Sequence, residues 1–195
     1  MTTRRPLAEA MRRADDVVDM LREGCTRIEI AGSIRRESPD VKDIEVVVVP
    51  GHQADLFGGA AFDLLNEVIR KRVREKRLVW RNVQTGLYGA HEPEKLDGRK
   101  FYALGTVEQG GDPWPIDVFC VRPPAQWGAI MAIRTGPADY SQRLVTQARQ
   151  QMLKCEDGRL VSIALMSCGA VRDTPEERDF IEACGLPFLP PTQRR

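Results

Sequence analysis

An α/β (α+β) fold, a mixed sheet flanked by helices and followed by a smaller helical lobe with a short β element, is predicted by three features of the sequence. Leu7, Ala10, Met11, Ala14, Val17, Val18 and Leu21 recur at three- and four-residue spacing between Pro6 and Arg22, the pattern of an amphipathic helix. Asp43-Ile44-Glu45-Val46-Val47-Val48-Val49 is an unbroken apolar run behind two acids, which reads as a strand buried on both faces. Beyond Val121 short alternating runs give way to helical spacing, which places a boundary near residue 122 and two domains, 1–122 and 123–195.

The elements follow in order. Gly24 stands where a residue closing the first helix belongs, and Arg27-Ile28-Glu29-Ile30-Ala31 alternates as a short strand. Gly32-Ser33-Ile34-Arg35-Arg36 is a polar turn before the valine strand, which Pro50-Gly51 ends. Phe62, Leu65, Ile69 and Val73 give residues 58–73 helical spacing, running into a basic stretch from Arg70 to Arg81; residues 87–98 read as loop. Phe101–Val107 and Ile116–Val121 are strands of a hairpin whose extended turn spans residues 109–115. In the second domain Trp127, Ile130, Met131 and Arg134 open a helix broken by Thr135-Gly136-Pro137, and a longer helix follows to about Cys155. Leu160–Met166 reads as a strand. Thr174-Pro175-Glu176-Glu177 reads as a capping box with Pro at the first helical position, and Gly185 with Pro187 closes that helix.

The 195 residues suffice to bury a core without disulfides or metals. The 42% hydrophobic and 29% charged residues set aside disordered and fibrous classes. Five cysteines form no CxxC pair and have no histidine at zinc-ligand spacing, so free thiols of a reducing compartment are expected, with Cys25, Cys120 and Cys168 among apolar neighbours. Neither an export signal nor a membrane span is indicated, and a cytoplasmic, monomeric protein is expected. A net charge of +1 argues against a polyanion binder only on average, because residues 70–81 hold seven Lys or Arg against Glu75.

Asp43 and Glu45 lie two apart at the start of a strand, which turns both carboxylates to one face. Like charges held that close need a cation. Asp117, inside the apolar run Pro115-Ile116-Asp117-Val118-Phe119, is a third carboxylate in a setting where an unpaired charge is costly. Three such groups on adjacent strands make an oxygen-only site suited to Mg²⁺. Ten residues before Asp43, Gly32-Ser33 with Arg35-Arg36 supplies backbone N–H groups, a hydroxyl and guanidinium forks for phosphate oxygens. Together these point to phosphoryl or nucleotidyl transfer by a two-metal mechanism.

Ala31-Gly32-Ser33-Ile34-Arg35-Arg36 with Asp43-Ile44-Glu45-Val46-Val47-Val48 resembles the catalytic motif of family X DNA polymerases, the DNA polymerase beta-like branch of the nucleotidyltransferase superfamily. Ile116-Asp117-Val118, Pro123–Ala129, Thr135-Gly136 and the tail from Thr174 to Pro191 resemble further family segments in the right order. The resemblance implies a nucleotidyltransferase palm over residues 1–122 and a thumb-like nucleotide- and DNA-binding lobe over 123–195. It implies that Asp43, Glu45 and Asp117 hold two Mg²⁺ ions, or Mn²⁺. Gly32, Ser33 and Arg36 would bind the β and γ phosphates and Thr135-Gly136 would contact the sugar and primer-end region, while Lys42 and Arg134, where the chain departs from the family, would add cations near the triphosphate. The implied partners are a dNTP, or an NTP, and a nucleic-acid primer and template, in a gap-filling repair reaction, with no membrane.

The chain departs from the family at Glu45, where the family has Asp; at Ile133-Arg134, where it has an aromatic pair; and at Pro115, where many members carry Arg. Its start at the helix before the first palm strand implies a minimal form without the lyase and helix-hairpin-helix domains. Two alternatives stay open: transfer to another acceptor such as an RNA end, a protein or a small molecule, and a catalytically weak nucleic-acid-binding subunit that keeps the fold. Arg70, Lys71, Arg72, Arg74, Lys76 and Arg77 form either a DNA-backbone stripe or a solvated helix end. Trp114, in a Gly/Pro-rich loop, is the candidate for an exposed stack on a base, whereas Trp127 and Tyr140 read as core and His52 and His91 as surface residues.

Overall fold

Helix α1 (Leu7–Leu21) buries Ala10, Ala14, Val17, Val18 and Leu21, the stripe its spacing predicts, but Met20 joins them while Met11 faces out. Its first N–H donates to Pro39 O at 3.1 Å, since Pro6 offers no side-chain cap. The computed structural model describes residues 4–53, 62–89, 91–92, 100–107 and 113–194. The predicted helical residues 58–61, loop residues 90 and 93–98, and turn residues 109–112 lie outside these.

The protein is a mixed α/β chain that divides into two compact units, Met1–Ile30 with Pro39–Cys120 and Ala31–Ser38 with Val121–Arg195. The first holds a five-stranded mixed sheet of β1 (Cys25–Ile30), β2 (Ile44–Pro50), β3 (Leu78–Trp80), β4 (Phe101–Thr106) and β5 (Pro115–Cys120), in the order β1-β2-β5-β4-β3. Only the central pair, β2 and β5, is parallel. The predicted hairpin is the antiparallel pair β4–β5. Strand β3 arises within the basic stretch: helix α2 (Leu64–Arg74) ends with Lys76 in the left-handed region, and Leu78-Val79-Trp80 then finds a partner in β4. The side-chain oxygen of Asp63 caps α2 by accepting from Asn66 N at 3.2 Å.

Helices α1 and α2 pack against each other and on one face of the sheet. Gly24 serves that packing rather than a helix-closing turn: a Cβ there would meet Leu65 Cα at 2.7 Å. Leu21, Leu65, Ile69, Ile44, Val46, Val48, Ile116 and Val118 are sealed between the layers, each worth about 1.5–3 kcal/mol as a buried aliphatic side chain. Tyr102 crosses the same interface to donate its hydroxyl to Asn66 Oδ1 of α2.

In the second unit the turn after Ala31 forms one helical turn, α3 (Gly32–Arg35), entered through Gly32 at φ +66°. With it lie α4 (Trp127–Thr135), α5 (Ala138–Gln150), α6 (Glu177–Ala183) and an antiparallel sheet of β6 (Leu153–Glu156), β7 (Arg159–Ser162) and β8 (Val171–Arg172). Helix α5 stops at Gln150, short of the predicted Cys155, because residues 153–156 pair with β7. The predicted strand from Leu160 likewise yields to a 3₁₀ turn at Leu165–Ser167. The capping box of α6 uses Glu176 and Asp179; Thr174 is buried and donates instead to Ala125 O at 3.0 Å. Leu144, Ala148, Leu160, Phe180 and Ile181 form the core, with Tyr140 buried beside them.

Candidate active site

The parallel register sets Glu45 beside Asp117, Ile44 beside Ile116 and Val46 beside Val118. Adjacent strands lie about 4.8 Å apart, so the two acids share one patch of sheet. Their face is identified by the neighbouring ladder. Tyr102 is the partner of Val118 and reaches α2, while Ala103 is the partner of Asp117 and points the other way. Glu45 and Asp117 therefore stand on the face opposite the helices, half-buried, and strand alternation turns half-buried Asp43 to the same side. The ion pair of Arg27 with Glu29 (2.8 Å) and the rings of Phe101 and Phe119 (5.2 Å between centroids) share that face.

Asp117 Oδ1 accepts a hydrogen bond from Arg81 Nη2. Arg81 follows β3; its backbone N–H donates to Ala103 O (3.0 Å) and its Nε to Leu104 O (3.4 Å). Trp114 overturns the expectation of an exposed stacking residue. It is buried, its Nε1–H donates to Lys42 O at 2.8 Å, and the Arg5 guanidinium lies 5.1 Å from its ring centre. The indole thus pins the chain one residue before Asp43, while the Lys42 side chain is exposed.

In the second unit Gly32 is buried and Ser33 half-buried, with Ser33 O accepting from Ser38 N at 3.0 Å. The two arginines of the turn part company. Arg35 Nη1 donates to both oxygens of Glu177 (2.9 and 2.8 Å) and to Thr135 Oγ1 (3.0 Å), so Arg35 anchors the turn. Arg36 Nη1 donates to Thr135 O at 2.6 Å. Glu177 is buried and also accepts from Arg194, whose side chain is fully covered and donates to Leu189 O. Gly136 is required by space: a Cβ would meet Tyr140 Cδ1 at 2.6 Å. Arg134 is exposed, and Ser141 Oγ donates to Ile133 O at 2.8 Å.

The proposed basic stripe lies on the helix layer, away from the carboxylates. Much of it is internally neutralised: Arg70 pairs with Glu67 and Glu92, Arg72 with Glu23 and Glu75, and Lys71 with Glu23. Arg77 and Lys76 line a cavity of about 260 Å³ with Arg13 and Asp16 of α1.

Cys25 and Cys120 of the first unit and Cys184 of the second have thiols pushed up by burial, Cys25 and Cys184 to about 12. Cys168 is exposed, against its predicted apolar surroundings.

The donor chemistry of Asp43, Glu45 and Asp117 fits a hard divalent cation, being all carboxylate oxygen, and Arg81 shows that positive charge is accepted at Asp117. Among the described residues, Asp43, Glu45 and Asp117 included, no three His, Cys, Asp or Glu side chains stand together as a group that could hold a metal ion. Arg81 was missed by sequence reasoning as a partner of Asp117, and Trp114 was assigned to an exposed stack rather than to the buried bond with Lys42 O. The only trace of Arg81 was its place after the short apolar run Leu78-Val79-Trp80.

No protein-family model matches this chain, and no curated protein matches it in sequence. Among the described residues no helix is long and apolar enough to cross a membrane.

Proposed function

We propose that the chain is a nucleotidyltransferase that moves dNMP from a dNTP to the 3′-hydroxyl of a DNA primer and releases pyrophosphate, in the manner of family X DNA polymerases. The observation that carries the reading is the pairing of Glu45 with Asp117 on the face of the sheet opposite α1 and α2, with Asp43 one residue ahead of the same strand. Asp43, Glu45 and Asp117 would hold two Mg²⁺, or Mn²⁺; such ions, when bound, neutralise phosphate charge and acidify an attacking hydroxyl.

The remaining work falls to the chain's own residues. Ser33 and the N–H groups after Gly32 offer donors to the β and γ phosphates, and Arg36 adds a guanidinium fork. Arg35 is tied to Glu177, and Arg36, the guanidinium that the resemblance assigns to phosphate, donates through Nη1 to Thr135 O. Lys42 and Arg134 are exposed cations that the reading assigns to the nucleotide; Thr135 is fully buried, so half-buried Gly136 is the member of the Thr135-Gly136 pair open to a sugar. Catalysis of this kind is mainly positioning and charge neutralisation.

The test is incubation of the purified chain with a labelled gapped or recessed primer, each dNTP or NTP in turn, and Mg²⁺ or Mn²⁺. Template-copied extension that disappears in Asp117→Ala is expected. Untemplated addition, or label appearing on another acceptor, would replace the polymerase reading by transfer to that acceptor.

A further inference from the structure

We propose that Arg81 is a built-in counter-cation of the Glu45–Asp117 pair, holding Asp117 until a divalent cation takes its place. The inference rests on the metal-dependent reading above and adds a residue to it. Two carboxylates opposite each other in a ladder repel, and their strands are held about 4.8 Å apart, so the pair needs positive charge whether or not metal is present.

Arg81 supplies that charge from two strands away. The register that puts Ala103 beside Asp117, together with the bond from Arg81 N to Ala103 O, brings the guanidinium to Asp117 Oδ1. The side chain is anchored twice, by Asp117 and by Leu104 O. It is also well covered, at 16% exposure against 23% for Asp117. A guanidinium keeps its charge at every working pH and is weakly hydrated, so it neutralises the pair without a proton being exchanged. A divalent ion bound to the same carboxylate would lie within a few ångströms of the guanidinium, and their repulsion in this half-buried setting makes the two occupancies competitive.

The test uses the full chain with Arg81→Gln and Arg81→Lys, read by Mn²⁺ titration with free ion followed by electron paramagnetic resonance, and by thermal unfolding in chelator. Arg81→Gln is expected to bind Mn²⁺ about tenfold more tightly than wild type, which corresponds to removing a competitor worth about one decade. In chelator its Tm should fall by about 2–4 °C, the shift of a small loss in a chain of this size; saturating Mn²⁺ should abolish the difference. Arg81→Lys, which keeps the charge, should stay near wild type in both. In an Asp117→Asn background Arg81→Gln should lower the Tm in chelator by less than in wild type, since only the bond to Leu104 O remains to be lost. If wild type binds Mn²⁺ and Arg81→Gln binds it equally or more weakly, the proposal is overturned and the metal-dependent reading stands. If neither protein binds Mn²⁺, both fall.

Discussion

Glu45 and Asp117 occupy matched positions of the parallel ladder at the centre of the sheet. Replacing Asp117 by Asn, or Asp43 by Ala, removes charge stabilisation worth several kcal/mol. At 1.36 kcal/mol per tenfold, primer extension should fall about a hundredfold or more in kcat/KM. Circular dichroism of the same variants should be unchanged. A residual rate within tenfold of wild type would remove both carboxylates from the chemistry.

The buried Glu177 carries Arg35 and Arg194 together, so Glu177→Gln leaves covered Arg194 and half-buried Arg35 without their carboxylate. A loss of about 3–5 kcal/mol is expected in urea unfolding. Arg178→Ala, which removes the exposed pair with Glu182 (3.2 Å) and the stack of its guanidinium on Phe188 (4.4 Å), should cost about 1 kcal/mol. Equal effects of the two would show that the buried triad contributes nothing special.

Tyr102→Phe withdraws the hydroxyl from buried Asn66 while conserving the ring against Trp80, whose centroid lies 6.5 Å away. A buried acceptor losing its donor costs about 1–3 kcal/mol. Differential scanning calorimetry should therefore show a Tm lower by roughly 2–4 °C per kcal/mol.

Alkali should unfold the protein through its buried thiols. Cys25 and Cys184 have folded pKa values raised to about 12, so the native state keeps protons that the unfolded state sheds near the ordinary thiol value. Their stabilisation is complete below that ordinary value and is lost as pH rises toward about 12. Denaturation midpoints measured from pH 8 to 11.5 should decline, and less steeply in Cys25→Ser/Cys184→Ser. At pH 8 in the native state, a maleimide should label exposed Cys168 first.

Arg74, Lys76 and Arg77 lie on the helix layer, opposite the carboxylate face. Arg74→Ala/Lys76→Ala/Arg77→Ala should leave kcat/KM for primer extension within about twofold. The slope of log K against log salt for duplex binding should change by less than one, against about 0.9 for each phosphate no longer neutralised. A slope change near three would place the DNA across the helices.

The valine strand, the stripe of α1 and the β4–β5 hairpin were legible because each is a local pattern: runs and alternations set by which side must be dry. Asp43, Glu45 and Asp117 could be singled out for a similar reason, as acids in apolar strands that announce a need for positive charge. Strands β3 and β6 were not legible. Leu78-Val79-Trp80 is three residues long and follows a run of cations, and Leu153–Glu156 continues a helical spacing; both become strands only by pairing with β4 and β7. Trp114 looked exposed because Gly and Pro surround it, yet the carbonyl of Lys42 gives its indole a buried partner.

By itself the sequence determined the fold class and singled out the carboxylates and the turn Gly32–Arg36 as candidates, since these rest on periodicity, burial of charge and close spacing along the chain. Only the tertiary structure decided that Glu45 meets Asp117, that Arg81 donates to Asp117, and that Arg35 and Arg194 share Glu177. Those choices depend on strand register and on pairings between residues far apart in the chain. Such pairings leave no periodic trace, because the partners are selected by the packed sheet and helices rather than by the residues beside them.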